Sequence, residues 1–199
     1  MMNGNKKVFE DHLKKAFQSG YANAATSLSK MTKDKINIDN FHHAVQKLDE
    51  SCIDVPNLFY RTGENILVTT EVFGEVTGKS YLFLSQNDFD LLTKDLYSHK
   101  DQIKEEYIKE LDNILSAAVI TKLSNELKMK MYGDIPLLIG RVSSSIENLV
   151  IDDFNEELEE VYINSVTFSF DDHPNIHPLF IWVIDSNILN VMESKLIFQ

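Results

Sequence analysis

The chain has 199 residues, 43% of them apolar and 25% charged, the balance of a folded domain with its own core rather than of a disordered segment. Its 31 acidic residues outweigh 19 basic ones for a formal net charge of −12, and no local excess of Lys and Arg appears, which argues against nucleic acid or an anionic membrane as partner. The single cysteine, Cys52, rules out an intrachain disulfide and points to a reducing compartment. Without a signal-like apolar start or a bilayer-length apolar run, the expected location is cytoplasmic.

From Lys7 to about Lys33, apolar or small residues recur at steps of three and four (Phe9, Leu13, Ala16, Phe17, Gly20, Ala24, Leu28, Met31), which predicts an amphipathic helix. Its small-residue centre, Ser19 to Ala25, permits close approach by another element. Ile36 to Leu48 is a shorter apolar segment, followed by a loop punctuated by Pro56 and Arg61-Thr62-Gly63. Ile66–Glu75 and Lys79–Ser85 are rich in β-branched and aromatic residues around Gly74 and Gly78, a hairpin pattern. Asn87 or Asp88 is placed to cap a helix carrying Phe89, Leu91, Leu92 and Leu96.

The pattern then restarts. A second long helix is expected from about Gln102 to Lys128, then an apolar stretch, Met129 to Ile139, interrupted by Gly133 and Pro136. A short helix over Ser143–Leu149, a strand pair over Val161–Phe170 and Pro178–Ile184, and a last helix from about Asn187 to Leu196 follow. Thr26-Ser27-Leu28-Ser29 matches Thr121-Lys122-Leu123-Ser124 at an offset of 95 residues, which indicates internal duplication. The expectation is one domain over residues 1–199, made of two repeats (about 7–98 and 102–197) that share one core.

Leu13 to Met31, LKKAFQSGYANAATSLSKM, is similar to the first helix of the CheC/CheX/FliY family of chemotaxis phosphatases, whose usual form is LKEIGNIGAGNAATALSKM. Tyr107 to Leu127 resembles that family's second helix, and both hairpins resemble its strand pairs, in order and over nearly the whole chain. The resemblance implies an α+β fold, in which a mostly antiparallel sheet packs on two long helices with pseudo-two-fold symmetry. The family's site pattern is an Asp or Ser, a Glu four residues on, an Asn three further, and a Pro twenty-three beyond the Asn. Glu110, Asn113 and Pro136 fall in register, while Glu106 stands at the leading position. In the first repeat the pattern is degenerate: Lys15 replaces the Glu, Gln18 the Asn and Phe41 the Pro.

Glu110 and Asn113, three residues apart on a helix, share one face. By resemblance, Asn113 orients a water in line with the aspartyl phosphate of a CheY-type response regulator, and Glu110 pairs with that regulator's active-site lysine. Both are catalytic residues in this reading, and Glu106 and Pro136 belong to the partner-binding surface. An amide suits the task because it donates and accepts without repelling phosphoryl oxygens. The chain needs no cofactor of its own, since the Mg²⁺ belongs to the regulator. Asp112 stands where relatives have Gly, and its carboxylate either crowds the site or faces away. The alternative expectation is an adaptor without catalysis that binds a response regulator or a CheD-type deamidase. A FliY-type switch component is disfavoured because the chain ends after the second repeat. His42-His43 and His173/His177 form no evident metal-ligand set, Cys52 has no activating neighbour, and no phosphate loop or nucleophile elbow appears.

Overall fold

The computed structural model describes residues 3–47, 65–96, 100–142, 146–154 and 160–197. Cys52, Pro56, Arg61-Thr62-Gly63 and Ser143 lie outside them. Both helical patterns form long helices, α1 (Asn3–Thr32) and α3 (Asp101–Leu127). Each ends on a lysine in the left-handed conformation, Lys33 at φ 60° and Lys128 at φ 55°, 95 residues apart. Lys33 N donates to Ser29 O and the Lys128 amide to Ser124 O, so the same cap closes both helices.

The strands are β1 (Ile36–Lys47), β2 (Asn65–Gly74), β3 (Gly78–Ser85), β4 (Met131–Gly133), β5 (Leu137–Val142), β6 (Glu160–Phe170) and β7 (Leu179–Asp185). They make one sheet in the order β1-β6-β7-β3-β2-β4, with β5 also paired to β2, and every pairing is antiparallel. The order is symmetric about the β7–β3 seam: two hairpins at the centre, and outside each hairpin the opening strand or strands of the other repeat. Each repeat thus completes its partner's half of the sheet.

The junctions repeat the exchange. Asp171 N, at the β6–β7 turn, donates to Lys35 O at 3.0 Å, and Glu75 N, at the β2–β3 turn, donates to Lys130 O at 2.9 Å. At the first of these, Asp34 accepts from the Asp172 amide and meets His173 Nδ1 at 3.0 Å, while Lys94 Nζ lies 2.7 Å from His173 Nε2. Burial pushes the Asp34 carboxyl up, but the hydrogen bonds from His173 and from the Asp172 and Lys35 amides outweigh it and hold it below its ordinary value. Among the described residues no group of three or more His, Cys, Asp or Glu could hold a metal ion.

One face of the sheet carries α1 and α3 over a shared core that runs through both repeats, including Leu13, Phe17, Leu28, Val68, Leu82, Leu111, Leu115, Phe168 and Trp182. The helices cross at their small residues. A Cβ on Gly20 would lie 3.3 Å from Val119 Cγ1, and Asn23 Nδ2 donates to Ala118 O at 3.1 Å. The other face buries Leu67, Tyr81, Phe83, Val161, Ile163, Ile181 and Val183, with Leu149 and Phe154 of α4 (Ile146–Phe154) packed on them. Asp153 of α4 fixes that seat, accepting from Tyr81 Oη at 2.6 Å and Lys79 Nζ at 3.0 Å. Two shorter helices, α2 (Gln86–Leu92) and α5 (Ile188–Ile197), follow the hairpins. The cap of α2 is Ser85, not Asn87 or Asp88: its hydroxyl accepts from Asp88 N and the Asp88 side chain from Ser85 N, a reciprocal capping box. The helix stops at Leu92, and Leu96 lies beyond it.

No described helix is long and apolar enough to cross a membrane.

Candidate functional site

The outer face of α3 presents Glu106, Lys109, Glu110 and Asn113, because steps of three and four bring these positions above one another. Opposite them runs the connection between β4 and β5, and together they enclose a groove of about 350 Å³ lined also by Gly133, Asp134, Ile135 and Pro136. The four expected residues of the second repeat, Glu106, Glu110, Asn113 and Pro136, are therefore brought into one place.

The loop side is held by the backbone. Asp134 N donates to Glu71 O at 2.9 Å, and the Asp134 carboxylate accepts from Ile135 N at 2.7 Å. Pro136 breaks the strand so that β4 and β5 pair separately with β2, which opens the wall that a continuous strand would close. On the helix side, Glu106 pairs with Lys109 at 2.5 Å, and Asn113 Nδ2 points to Glu110 Oε2 at 3.5 Å. Glu110 and Asn113 are exposed. With Glu106, Glu110 and Asp134 against Lys109, the groove is net acidic. Such a surface attracts a cation from a partner and does not hold a free phosphate by charge.

Asp112 faces away from the groove. It is fully buried, its Oδ2 accepts from Thr70 Oγ1 of β2 at 2.6 Å, and its Oδ1 is buried with no hydrogen-bond partner. Burial pushes its carboxyl up to about 7 against the lowering effect of Thr70. One turn on, the buried Ser116 hydroxyl meets Ser80 of β3 at 2.9 Å.

The first repeat keeps the position and not the chemistry. Lys15 and Gln18 are exposed on α1. A groove of about 410 Å³ lies beside the same helix, lined by Lys6, Lys7, Glu10, Asp11, Lys14 and residues 43–45 of β1, so neither Lys15 nor Gln18 lines it. Where Pro136 breaks the second repeat's strand, β1 carries only a bulge between Asp39 and His42, with Asn40 at φ 53°. Phe41, at the proline's counterpart, packs edge-on against Tyr21 with centroids 5.9 Å apart.

No family model matches the sequence, and no curated protein matches it. Solved structures do match. FliY of Thermotoga maritima superposes at a TM-score of 0.64 and 15% identity, over 98% of this chain and 96% of that one. The middle domain of FliM from Vibrio alginolyticus gives 0.56 and 12%, over 92% and 98%. A chemotaxis protein CheX from Desulfovibrio desulfuricans gives 0.55 and 11%, over 86% and 99%. The chain has the CheC/CheX/FliY fold.

Within that fold, sequence reasoning missed Lys109, Gly133, Asp134 and Ile135. Lys109 carried a signal, since it stands three residues from Glu106 on one helix face. The loop residues carried a weaker one, the Gly133 and Pro136 that bracket them.

Proposed function

We propose that the chain dephosphorylates a CheY-type response regulator in chemotaxis signalling. The observation that carries this reading is the exposed groove in which Pro136 of the β4–β5 connection meets Glu110 and Asn113 of α3, all three in register with the family pattern. Glu110 docks on the regulator's active-site lysine and sets the register of the complex, with Glu106 and Pro136 at the rim. Asn113 enters the regulator's site and holds a water in line with the aspartyl phosphate, donating one hydrogen bond and accepting another. The regulator supplies the phosphoryl group and its Mg²⁺, which suits an acidic groove with no phosphate cradle of its own. Asp112 does not obstruct this chemistry, because its side chain is buried beneath the helix.

A second reading, an adaptor that binds a response regulator or a CheD-type deamidase without catalysis, is supported by the first repeat, whose site positions hold Lys15, Gln18 and an inward Phe41. The fold leaves this reading open, since a FliM middle domain shares it.

Phosphate release from a phosphorylated CheY-type regulator separates the two. Asn113→Ala is expected to lower turnover on the order of a hundredfold or more, the usual effect of removing one transition-state contact, with an unchanged circular dichroism spectrum. Glu110→Lys is expected to weaken binding of the phosphorylated regulator in calorimetry. A wild-type protein that binds the regulator and does not accelerate hydrolysis establishes the adaptor.

A further inference from the structure

The inward stripes of the two long helices differ in kind at matching positions. At the 95-residue offset, Asp112 and Ser116 of α3 correspond to Phe17 and Tyr21 of α1. Phe17 and Tyr21 are fully buried among aromatic rings, with Phe17 centroids 5.9 Å from Tyr21 and 6.2 Å from Trp182, and the Tyr21 hydroxyl has no partner. Asp112 and Ser116 instead hydrogen-bond to the two strands below, Thr70 of β2 at 2.6 Å and Ser80 of β3 at 2.9 Å. Ring packing tolerates small rotations of a helix about its axis, whereas a buried hydrogen bond weakens steeply with angle and distance. At these matched positions it is the helix carrying the candidate site that meets the sheet through directional bonds, and one of them acts on the residue directly before Asn113.

We propose that the Asp112–Thr70 contact is a positioning element for the site: it sets the seat of α3 on β2, and with it the direction in which Glu110 and Asn113 project into the groove, and a negative charge at Asp112 loosens that seat. This rests on the phosphatase reading for its effect on turnover, but not for its effect on geometry. The contact is well formed whether Thr70 donates to the carboxyl or the neutral acid donates to Thr70. As an anion, Asp112 would keep one buried oxygen without any partner, which is costly in an apolar surround.

Among the described residues no charged group offsets that charge. Glu71 on β2 is exposed and pairs with Lys79 of β3 at 3.4 Å, and Lys79 also pairs with Asp153. On α3, Glu110 and Lys109 line the groove on the opposite side. The Tyr132 of β4 and Arg141 of β5 are exposed, as are Lys14 and Lys15 of α1. The raised carboxyl of Asp112, about 7, places the change within reach of neutral pH. Because a misplacement of about 1 Å can cost on the order of a hundredfold in rate, a modest shift of the helix is sufficient to act on turnover.

The test is the full chain as wild type, Asp112→Asn and Thr70→Val, measured from pH 5.5 to 8.5. The first readout is the pair of Asn113 side-chain amide signals by NMR. The second is turnover of a phosphorylated CheY-type regulator. The expected result is an Asn113 signal that moves with a midpoint near 7 in wild type and stays still in Asp112→Asn, with the pH profile of turnover flattened in the same variant. Thr70→Val is expected to lose on the order of tenfold in kcat with KM unchanged, and Thr70→Ser to restore it. Failure of the phosphatase reading would appear as no turnover in any variant while the Asn113 signal still titrates, which leaves the positioning role standing. Identical Asn113 titrations in wild type and Asp112→Asn would overturn the proposal.

Discussion

Under α1 the sheet meets the helix through a cluster of aromatic rings: Phe17, Tyr21, Phe41, Phe180 and Trp182. Under α3, at matching positions, it meets the helix through Asp112–Thr70 and Ser116–Ser80. The same topology therefore supports two kinds of interior, and the aromatic one lies beneath the degenerate site. Phe41, standing where the second repeat has Pro136, packs into that cluster, and β1 runs on with only a bulge where the second repeat's strand is broken. On the phosphatase reading, the exposed chemistry belongs to the second repeat, while Phe17, Tyr21 and Phe41 of the first pack into the core.

The comparison can be broken first at its stable end. Phe17→Ala empties a fully buried ring site and is expected to cost about 3–5 kcal/mol in urea unfolding. A cost below about 1 kcal/mol would mean that the aromatic layer does not carry the first repeat.

The other interior is probed through pH. The Asp112 carboxyl is raised from 3.8 to about 7 in the fold, so between these values the folded state binds a proton that the unfolded state has lost. Stability then falls as pH rises from about 4 through about 7, and is level above. Asp112→Asn should remove this slope and be the more stable protein at pH 8, by an amount on the order of a few kcal/mol. Parallel stability curves for wild type and variant between pH 4 and 8 would contradict the buried, raised carboxyl.

The smallest expected effect sharpens the contrast most. Lys15→Ala with Gln18→Ala changes two exposed residues outside the groove beside α1, and both stability and regulator dephosphorylation should stay within experimental error of wild type. Regulator binding should saturate at one per chain. A large loss of turnover with folding intact by circular dichroism would move the chemistry to the first repeat.

Much of this is legible in the sequence. The stripe Leu13, Ala16, Phe17, Gly20, Ala24 and its counterpart Ile108, Leu111, Leu115, Val119 identify both helices because helical periodicity is a local property. The offset of 95 residues relates the two long helices and recurs in their lysine caps, and the resemblance to the CheC/CheX/FliY site pattern picks out Glu110, Asn113 and Pro136. Even the direction of Asp112 was within reach, since it stands four residues after Ile108 and four before Ser116, on the buried stripe. A charged side chain in an otherwise apolar pattern conceals this, because charge ordinarily argues for exposure.

What the tertiary structure alone decided is which strands meet. Nothing in β1 or β5 states that each pairs with the other repeat's hairpin, because antiparallel partners are chosen by burial across the whole sheet and not by neighbours in sequence. That exchange puts the β4–β5 loop opposite α3, brings Asp134 and Ile135 to the groove beside Asn113, and sets Thr70 beneath Asp112. It also leaves the sheet's second face to α4, whose Asp153 anchors on Tyr81. The residues of the site are a property of the sequence, and their assembly follows from long-range strand pairing that no local pattern encodes.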